Sequence, residues 1–306
     1  MVPKRLAGCI LLGLALARWS VAADERPYVF FPLEIPGAVG ATATGINARG
    51  DVVGNYFDGT RVHGFALREG VLTTIDYPGA AFTDARGIGP RGEIVGSYRL
   101  PGEPGVNQHG YLLTPDGEFL PADYPGHTNT IPQRILPDGT ILGCRHDWDF
   151  MATMRGVVMG RHGSDEIDAF ASMHNGATPD LGRIAGLFTD MMTGAGRGYI
   201  IADGTFVPFD VPGSIQTAAW DMSPAGAVVG NFRLPGGAVR GFLLEGAELD
   251  LAAQELTGGR FTTLHVPGSS ITTAFGINAR GDVVGSFVSG GVSRAYIATR
   301  RAAPAR

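Results

Sequence analysis

The chain has 306 residues and a formal net charge of −5, with 24 Lys and Arg residues against 29 Asp and Glu residues. An acidic chain without basic runs lacks the electrostatic signature of a nucleic-acid-binding protein. Charged residues make up only 17% of the sequence, and there are 47 Gly and 20 Pro residues. This composition favours many short strands joined by tight turns, and we predict an all-β fold.

The first 23 residues have the pattern of a secretory signal peptide. Lys4 and Arg5 form a basic start before an apolar run at 6–17, and small residues follow at 21–23. The apolar run is too short to cross a bilayer. We therefore predict a secreted or periplasmic protein without a membrane span.

A ten-residue sequence, GINARGDVVG, occurs at 45–54 and again at 276–285. Weaker versions lie between these two copies, and each version ends in a glycine. Units of about 40 to 55 residues indicate a repeat architecture. The closing glycines are Gly54, Gly96, Gly143, Gly186, Gly230 and Gly285.

Each unit contains the pattern of four short strands. In the first unit, one strand ends at the turn NARGD, and VVGNYF, HGFALRE and VLTTIDYPGA follow as the second, third and fourth strands. Four antiparallel strands in each repeat are typical of a propeller blade. We predict a single propeller domain over residues 24–300 and a flexible tail at 301–306.

The sixth unit stops after its third strand. The missing fourth strand is supplied by YVFFPLEIPGA at 28–38, which matches VLTTIDYPGA of the first unit. A closed ring explains this split, because a shared last blade removes exposed strand edges. We predict a six-bladed β-propeller whose last blade is closed by the N-terminal strand, and we expect a monomer.

The third strands share a pattern of a basic, a small and an aromatic residue. It reads HGF at His63, HGY at His109, RGF at Arg240 and RAY at Arg294. This pattern resembles the HAF extracellular repeat family of bacterial secreted proteins, over nearly all of the chain after the signal segment. The resemblance implies secretion and a propeller-like fold, and it implies no particular chemistry.

A basic residue recurs in every third strand, and an acidic residue recurs in most fourth strands. The two sets could line a charged channel for an ionic ligand, or they could pair with each other in every unit. We favour structural pairs, because a group repeated in every unit meets a need that every unit shares. The basic residues are His63, His109, Arg155, Arg197, Arg240 and Arg294, and the acidic residues are Glu34, Asp76, Asp123, Asp168 and Asp210.

The third unit departs most from the repeat, with LGCRHDWDF at 142–150 where other units read VGNYF or VGSYR. In a propeller, loops between second and third strands share one face with the connections between blades, and such loops often carry binding sites. We predict a ligand site on this inter-blade face. The candidate residues are Arg86, His127, Gln133, Arg134, Arg145, His146, Asp147, Asp149, His174, Trp220 and Asp221.

One aligned position on the innermost strands varies strongly between units, which fits a lining specialised for a ligand. The residues at this position are Thr44, Arg86, Gln133, Gly176, Trp220 and Phe275. The arginines among the candidates suit a carboxylate-bearing ligand through bidentate pairing. A small polar or glycan-like ligand and a protein partner are also compatible with the sequence.

Two classes of function remain open. A binding or interaction scaffold fits the lack of a GxSxG elbow, a Walker loop and a dinucleotide fingerprint in the sequence. A propeller enzyme, such as a lyase, hydrolase or lactonase, could act on a small polar, carboxylate-bearing or carbohydrate-like substrate. The sequence has no HxH, HxxxH or Asp-rich calcium loop, so we predict neither a metal nor a cofactor.

Two further segments carry expectations about structure. Cys144 is the single cysteine after the signal segment, so we expect a buried thiol without an intramolecular disulfide. The fifth unit contains an insertion at 247–259. We expect it to form a bulging loop or a short helix between the third and fourth strands.

Overall fold

The computed structural model describes residues 20–21, 28–105, 107–127, 129–160, 163–167 and 171–301. In this part of the chain the regular structure is almost entirely β-strand, with one helix of four residues, α1 (Phe150–Thr153). The prediction of an all-β fold is confirmed. Most of the predicted signal peptide and residues 302–306 of the predicted tail lie outside the described residues.

The described residues form strands β1 to β25. In chain order they are β1 (Ser20–Val21), β2 (Tyr28–Pro32), β3 (Gly40–Ile46), β4 (Val52–Phe57), β5 (Val62–Arg68), β6 (Val71–Ile75), β7 (Phe82–Ile88), β8 (Ile94–Arg99), β9 (His109–Leu113), β10 (Phe119–Pro121), β11 (Asn129–Ile135), β12 (Ile141–His146), β13 (Arg155–Gly160), β14 (Gly163–Glu166), β15 (Ser172–Ala177), β16 (Arg183–Thr189), β17 (Gly196–Ala202), β18 (Thr205–Phe209), β19 (Gln216–Met222), β20 (Val228–Arg233), β21 (Val239–Asp250), β22 (Glu255–Leu264), β23 (Ile271–Ile277), β24 (Val283–Ser289) and β25 (Val292–Arg300).

The strands form groups of four antiparallel neighbours. Four separate sheets, β3–β6, β7–β10, β11–β14 and β15–β18, are called units 1 to 4 here. A nine-stranded sheet contains two further groups, β19–β22 (unit 5) and β23–β25 with β2 (unit 6). One parallel residue pair, Val239 with Ile271, joins these two groups, and β1 pairs in parallel with β22.

The fourth strand of unit 6 comes from the N-terminal part of the chain. Strand β2 pairs antiparallel with β25, so that Tyr28 lies opposite Arg300 and Pro32 lies opposite Tyr296. The Tyr28 hydroxyl also donates a hydrogen bond to the carbonyl of Gly281 at 2.8 Å. The pairing of the two chain ends agrees with the split repeat of the sequence.

The first strands of the units form a closed cycle of neighbours, whose centre we call the axis. Strand β3 contacts β7, and the contacts continue through β11, β15, β19 and β23, which contacts β3 again. Each first strand carries a β-bulge at the same place. The bulge residues are Thr44, Arg86, Gln133, Asn175, Trp220 and Phe275. Sequence alignment placed Gly176 in this set, but the bulge lies one residue earlier.

One contact explains both the closing glycine of the repeat and the aromatic residue of the third strand. A Cβ atom at Gly285 would lie 1.9 Å from the Thr273 carbonyl oxygen and 2.8 Å from the Tyr296 hydroxyl. The same hydroxyl donates to that carbonyl at 2.8 Å. The glycine therefore leaves the space that the buried ring needs. The residues opposite the closing glycines, all fully buried, are Phe65, Tyr111, Val157, Tyr199, Phe242 and Tyr296, of which only Val157 of unit 3 is not aromatic.

The predicted base–acid pairs form in units 1 and 4. His63 lies 2.8 Å from Asp76, and Arg197 lies 2.8 Å from Asp210. The prediction is wrong for units 2 and 6, because the basic side chains there reach other acceptors within their own loops. In unit 2 His109 contacts Glu103, and in unit 6 Arg294 donates to the carbonyl of Ser289. In units 3 and 5, Arg155 and Arg240 donate to main-chain carbonyls. The predicted acid of unit 3, Asp168, lies outside the described residues.

The insertion of unit 5 continues the hairpin of β21 and β22, which have 12 and 10 residues. The prediction of a bulging loop or short helix is wrong. Leu249 pairs with Leu256, and Leu256 joins the buried core of unit 5, so the added residues gain burial as strands. The prediction for Cys144 is confirmed: the thiol is fully buried, and burial raises its pKa to about 12.

Candidate functional site

The alternating strand directions give each unit two ends. The connections between units and the loops between second and third strands lie at one end, which we call the loop face. The remaining turns lie at the other end, the turn face. The predicted site residues fall into three places: the loop face of unit 3, the axis, and the boundary between units 3 and 4.

His127 and Asp147 meet at the loop face of unit 3. His127 belongs to the connection between units 2 and 3, and Asp147 follows β12. The Nδ1 atom of His127 lies 3.2 Å from each carboxylate oxygen of Asp147. The two side chains are 25% and 30% exposed, so a ligand can reach them from solvent. The ring of Tyr124, which the sequence analysis did not include, lies 5.6 Å from the His127 ring.

The loop after β12 is held by its own hydrogen bonds. Asp149 accepts the backbone N–H of Ala152 at 3.0 Å and so caps α1, while Thr153 Oγ1 accepts the N–H of Asp147 at 2.8 Å. The loop presents Trp148 to solvent with 83% of its surface exposed. Trp148 was not among the predicted site residues, because its neighbours in sequence do not reveal which way the ring turns.

Arg145 and His146 lie beneath this loop. The Nε and Nη2 atoms of Arg145 bind the two carboxylate oxygens of Glu166 at 2.7 and 2.8 Å, and Nη1 donates to the carbonyl of Thr153 at 2.8 Å. Bidentate pairing with a carboxylate is the role predicted for Arg145, but the carboxylate belongs to the chain itself. His146 is completely buried at the end of β12.

Arg134 and Asp221 form an ion pair on the axis. Nε of Arg134 lies 2.9 Å from Oδ1 of Asp221, and the side chains are 11% and 8% exposed. Both residues directly follow a bulge, at a position that is glycine in the other four units. The Nη atoms of Arg134 donate to the carbonyls of five bulge residues, Thr44, Arg86, Gln133, Trp220 and Phe275.

The two Nη groups of Arg134 thus donate to five main-chain carbonyls, while Nε contributes to the ion pair with Asp221 without forming a hydrogen bond. Burial raises the pKa of Asp221, and the adjacent Arg134 opposes this rise. The pair forms the floor of a cavity of about 140 Å³ on the turn face, walled by the last residues of all six first strands. Arg134 and Asp221 therefore border the face opposite to the predicted one, because they lie near the ends of β11 and β19.

The other predicted axial residues contact neighbouring side chains. Arg86 pairs with the buried Asp84 at 2.8 Å, and Gln133 donates to the sulfur of Met173 at 3.0 Å. The indole N–H of Trp220 donates to Asn231, and the indole ring lies edge-on to Phe275, with ring centres 5.2 Å apart. The different side chains at the bulges thus pack against one another and against their neighbours around the axis.

His174 lies inside β15 rather than in the connection before it. It is 1% exposed, and its Nδ1 atom lies 2.6 Å from the Tyr199 hydroxyl. Burial lowers the pKa of His174 to about 3, so the imidazole is neutral at physiological pH. The equivalent residues in four other units are the buried alanines Ala43, Ala85, Ala219 and Ala274.

Within the described residues, no group of three or more His, Cys, Asp or Glu side chains is arranged to hold a metal ion. In the same part of the chain, no helix has the length and apolar character needed to cross a membrane. The chemical groups at the loop face of unit 3 are the imidazole of His127, the carboxylates of Asp147 and Asp149 and the exposed indole of Trp148.

No family model and no curated protein sequence matches this chain. Among solved structures it is similar to TolB from Acinetobacter baumannii, with a TM-score of 0.51 and 14% identity, over 87% of this chain and 65% of TolB. It is also similar to a gluconolactonase from Xanthomonas campestris, with a TM-score of 0.49 and 14% identity, over 87% of each chain. The first likeness supports a propeller fold, and at this identity it extends to the fold alone.

Proposed function

We propose that this chain is a six-bladed β-propeller that binds a ligand or partner outside the cytoplasm, with its site on the loop face of unit 3. Six groups of four strands and the closed cycle of first strands support the six-bladed ring. The pairing of β2 with β25 supports closure by the N-terminal strand. The signal-like segment at 1–23 and the resemblance to HAF repeats support a secreted or periplasmic location.

The observation that carries the proposed site is the exposed Trp148, which directly follows Asp147 of the His127–Asp147 pair. A flat apolar ring beside groups that donate and accept hydrogen bonds suits a ligand with an apolar face and polar edges, such as a sugar ring. Exposure of 83% is unusual for an indole that serves the core. The loop of unit 3 therefore has the chemistry of a small polar or glycan-like site.

The ion pairs of the three arginines among the predicted site residues favour an uncharged ligand over a carboxylate. Each of the three predicted carboxylate-binding arginines is paired with an acidic side chain of the chain itself. A ligand carboxylate would have to displace such a partner, and for Asp84 and Asp221 this would leave a buried charge unpaired. The pairs are Arg86 with Asp84, Arg134 with Asp221 and Arg145 with Glu166.

A thermal-shift screen of neutral oligosaccharides and organic acids tests this site. The wild type should be compared with Trp148→Ala and with Phe57→Ala, a control that removes a 40% exposed ring from the end of β4 on the loop face of unit 1. We expect a neutral sugar to raise the melting temperature of the wild type and of the control, but not of Trp148→Ala. A sugar that stabilises all three proteins equally would place the site elsewhere.

An enzyme is the second candidate, and the His127–Asp147 geometry favours it. When Nδ1–H of His127 points to a carboxylate, Nε2 is left as a proton acceptor, which is the arrangement of a general base. A hydrolase or lactonase acting on a carbohydrate-like substrate would use this atom to activate water. His127→Gln should then abolish turnover of a sugar lactone and retain its binding. If the wild type binds sugars but does not turn over a sugar lactone, the enzyme candidate is contradicted and the binding function is the one supported.

A further inference from the structure

A cleft of about 560 Å³ lies between units 3 and 4 and shares no residue with the loop-face site. Its walls are mostly apolar, with Val158 from unit 3 and Ile184, Ile201 and Phe206 from unit 4. Clefts of this size with apolar walls and a few polar groups commonly bind small organic molecules. The polar groups in this cleft decide which molecules would fit.

The first polar group is His174, which forms part of the cleft wall. The Tyr199 hydroxyl donates its proton to the carbonyl of Met173 at 2.9 Å, so it accepts the Nδ1–H of His174 at 2.6 Å. This assignment leaves a lone pair on Nε2, for which no hydrogen-bond partner is found among the described residues. The low pKa of His174 keeps that nitrogen unprotonated. A buried imidazole that makes only half of its hydrogen bonds provides an acceptor for a ligand donor.

The second polar group is a carboxylate. Asp165 and Glu166 both line the cleft, but Glu166 is neutralised by Arg145. Asp165 accepts the N–H of Glu166 and pairs with no basic side chain of the described chain. Within the described residues, the cleft therefore carries one carboxylate that no basic side chain pairs with.

The two groups line the same cleft. The His174 ring lies 3.0 Å from the Cβ position of Gly156, and the Gly156 carbonyl accepts the N–H of Ile167 at 3.0 Å. Asp165 of β14 pairs with Val158 of β13, which lies two residues after Gly156, a separation of about 7 Å along that strand. An ammonium group bound to the imidazole would therefore lie in the same cleft as the carboxylate.

We propose that this cleft is a second binding site, which takes a small molecule with an apolar body and a protonated amine. The ammonium group donates to Nε2 of His174 and pairs with Asp165, and the apolar body lies against Ile184, Ile201 and Phe206. A carboxylate in the same position would face Asp165 and find no donor on His174. The site therefore selects amines over acids of the same shape.

Three probes with the same phenyl group test this selectivity: 2-phenylethylamine, 2-phenylethanol and phenylacetate. Titration would be followed by NMR of the histidine ring signals, with the His174 signal assigned from a His174→Gln variant. The amine should shift the His174 signal and leave the His127 signal unchanged, the alcohol should bind more weakly, and the acid should not bind. No shift of the His174 signal with the amine, or equal binding of amine and acid, would overturn the proposal.

Two variants test the residues without removing His174. Asp165→Asn should weaken amine binding by about threefold, the range expected for a partly exposed ion pair. Asp116→Asn, which removes an exposed carboxylate from the turn face of unit 2, is the matched control and should change nothing. Ile201→Trp should fill the cleft and abolish the amine-dependent shift, while the loop-face ligand still binds. Amine binding that persists in folded Ile201→Trp would contradict the site.

Discussion

The side-chain amide of Asn278 donates a hydrogen bond to the main-chain carbonyl of Asn47 at 3.2 Å, and the two residues occupy the same place in the two identical decapeptides. Asn47 in turn donates to the carbonyl of Gly89 at 3.3 Å. One repeated asparagine thus links unit 6 to unit 1 and unit 1 to unit 2 on the turn face. The duplicated sequence therefore lies where the two ends of the chain meet.

Deletion of residues 24–38 tests closure by the N-terminal strand. Without β2, the edge of β25 is exposed, and Tyr28, which is 4% exposed, no longer contributes to the core of unit 6. We expect a lower melting temperature or self-association, measured by thermal unfolding and light scattering. Deletion of residues 302–306 is the control and should leave both properties unchanged. A truncated protein that stays monomeric with an unchanged melting temperature would contradict closure.

Arg134→Ala should lower the free energy of unfolding by about 3 to 5 kcal/mol, because it leaves Asp221 and the ring of carbonyls without their buried cation. Chemical denaturation measures this effect. The matched control is Arg197→Ala, whose pair with Asp210 is 31% and 40% exposed and should contribute about 0.2 to 1 kcal/mol. Equal losses in the two variants would mean that the axial contacts of Arg134 do not hold the ring together.

Gly285→Ala should destabilise the protein by about 1 to 3 kcal/mol, because the new methyl group would overlap the Thr273 carbonyl and crowd the Tyr296 ring. Gly236→Ala is the control: its Cβ would meet nothing within 4 Å, and the cost should stay within about 0.5 kcal/mol. Thermal and denaturant unfolding of the two variants measure the difference. A tolerated Gly285→Ala would remove the steric explanation of the repeated glycine.

His174 should make stability depend on pH. Its pKa falls from an ordinary 6.5 to about 3 on folding, so the unfolded chain binds a proton that the folded chain does not bind between these values. The free energy of unfolding is therefore not reduced by His174 above pH 6.5. Between pH 6.5 and about 3 it falls on acidification by up to about 1.4 kcal/mol per pH unit. Between pH 7 and 5 the wild type should therefore lose more stability than His174→Gln. Parallel pH profiles of unfolding for the two proteins would contradict a neutral, buried His174.

The strands could be predicted from the sequence because each repeat carries its own turn signal and its own closing glycine. The pairing of β2 with β25 was predictable because a repeat split between the chain ends is visible as sequence similarity. The bulge at Asn175 could not be predicted, because an extra residue in one strand is not visible in an alignment of short repeats. The extended hairpin of unit 5 was also missed, because Leu249 and Leu256 gain their burial from a partner strand that local sequence does not show.

The candidate site was predicted in part. The segment at 142–150 stands out because it departs from the repeat, and the structure brings Asp147 of this segment to His127. The partners of Arg134 could not be predicted, since main-chain carbonyls of five units carry no residue-type signal. The pairing of Arg145 with Glu166 depends on the register of three strands, which the sequence of unit 3 leaves open.

Fluorescence of Trp148 tests the central claim most directly. The chain has three tryptophans, so a protein that begins at Asp24 and carries Trp220→Phe keeps Trp148 as its single one. A neutral oligosaccharide that raises the melting temperature should shift the Trp148 emission to shorter wavelength and protect it from acrylamide quenching, because the sugar would cover the exposed indole. A stabilising ligand that leaves both the emission and the quenching of Trp148 unchanged would contradict a binding site on the loop face of unit 3.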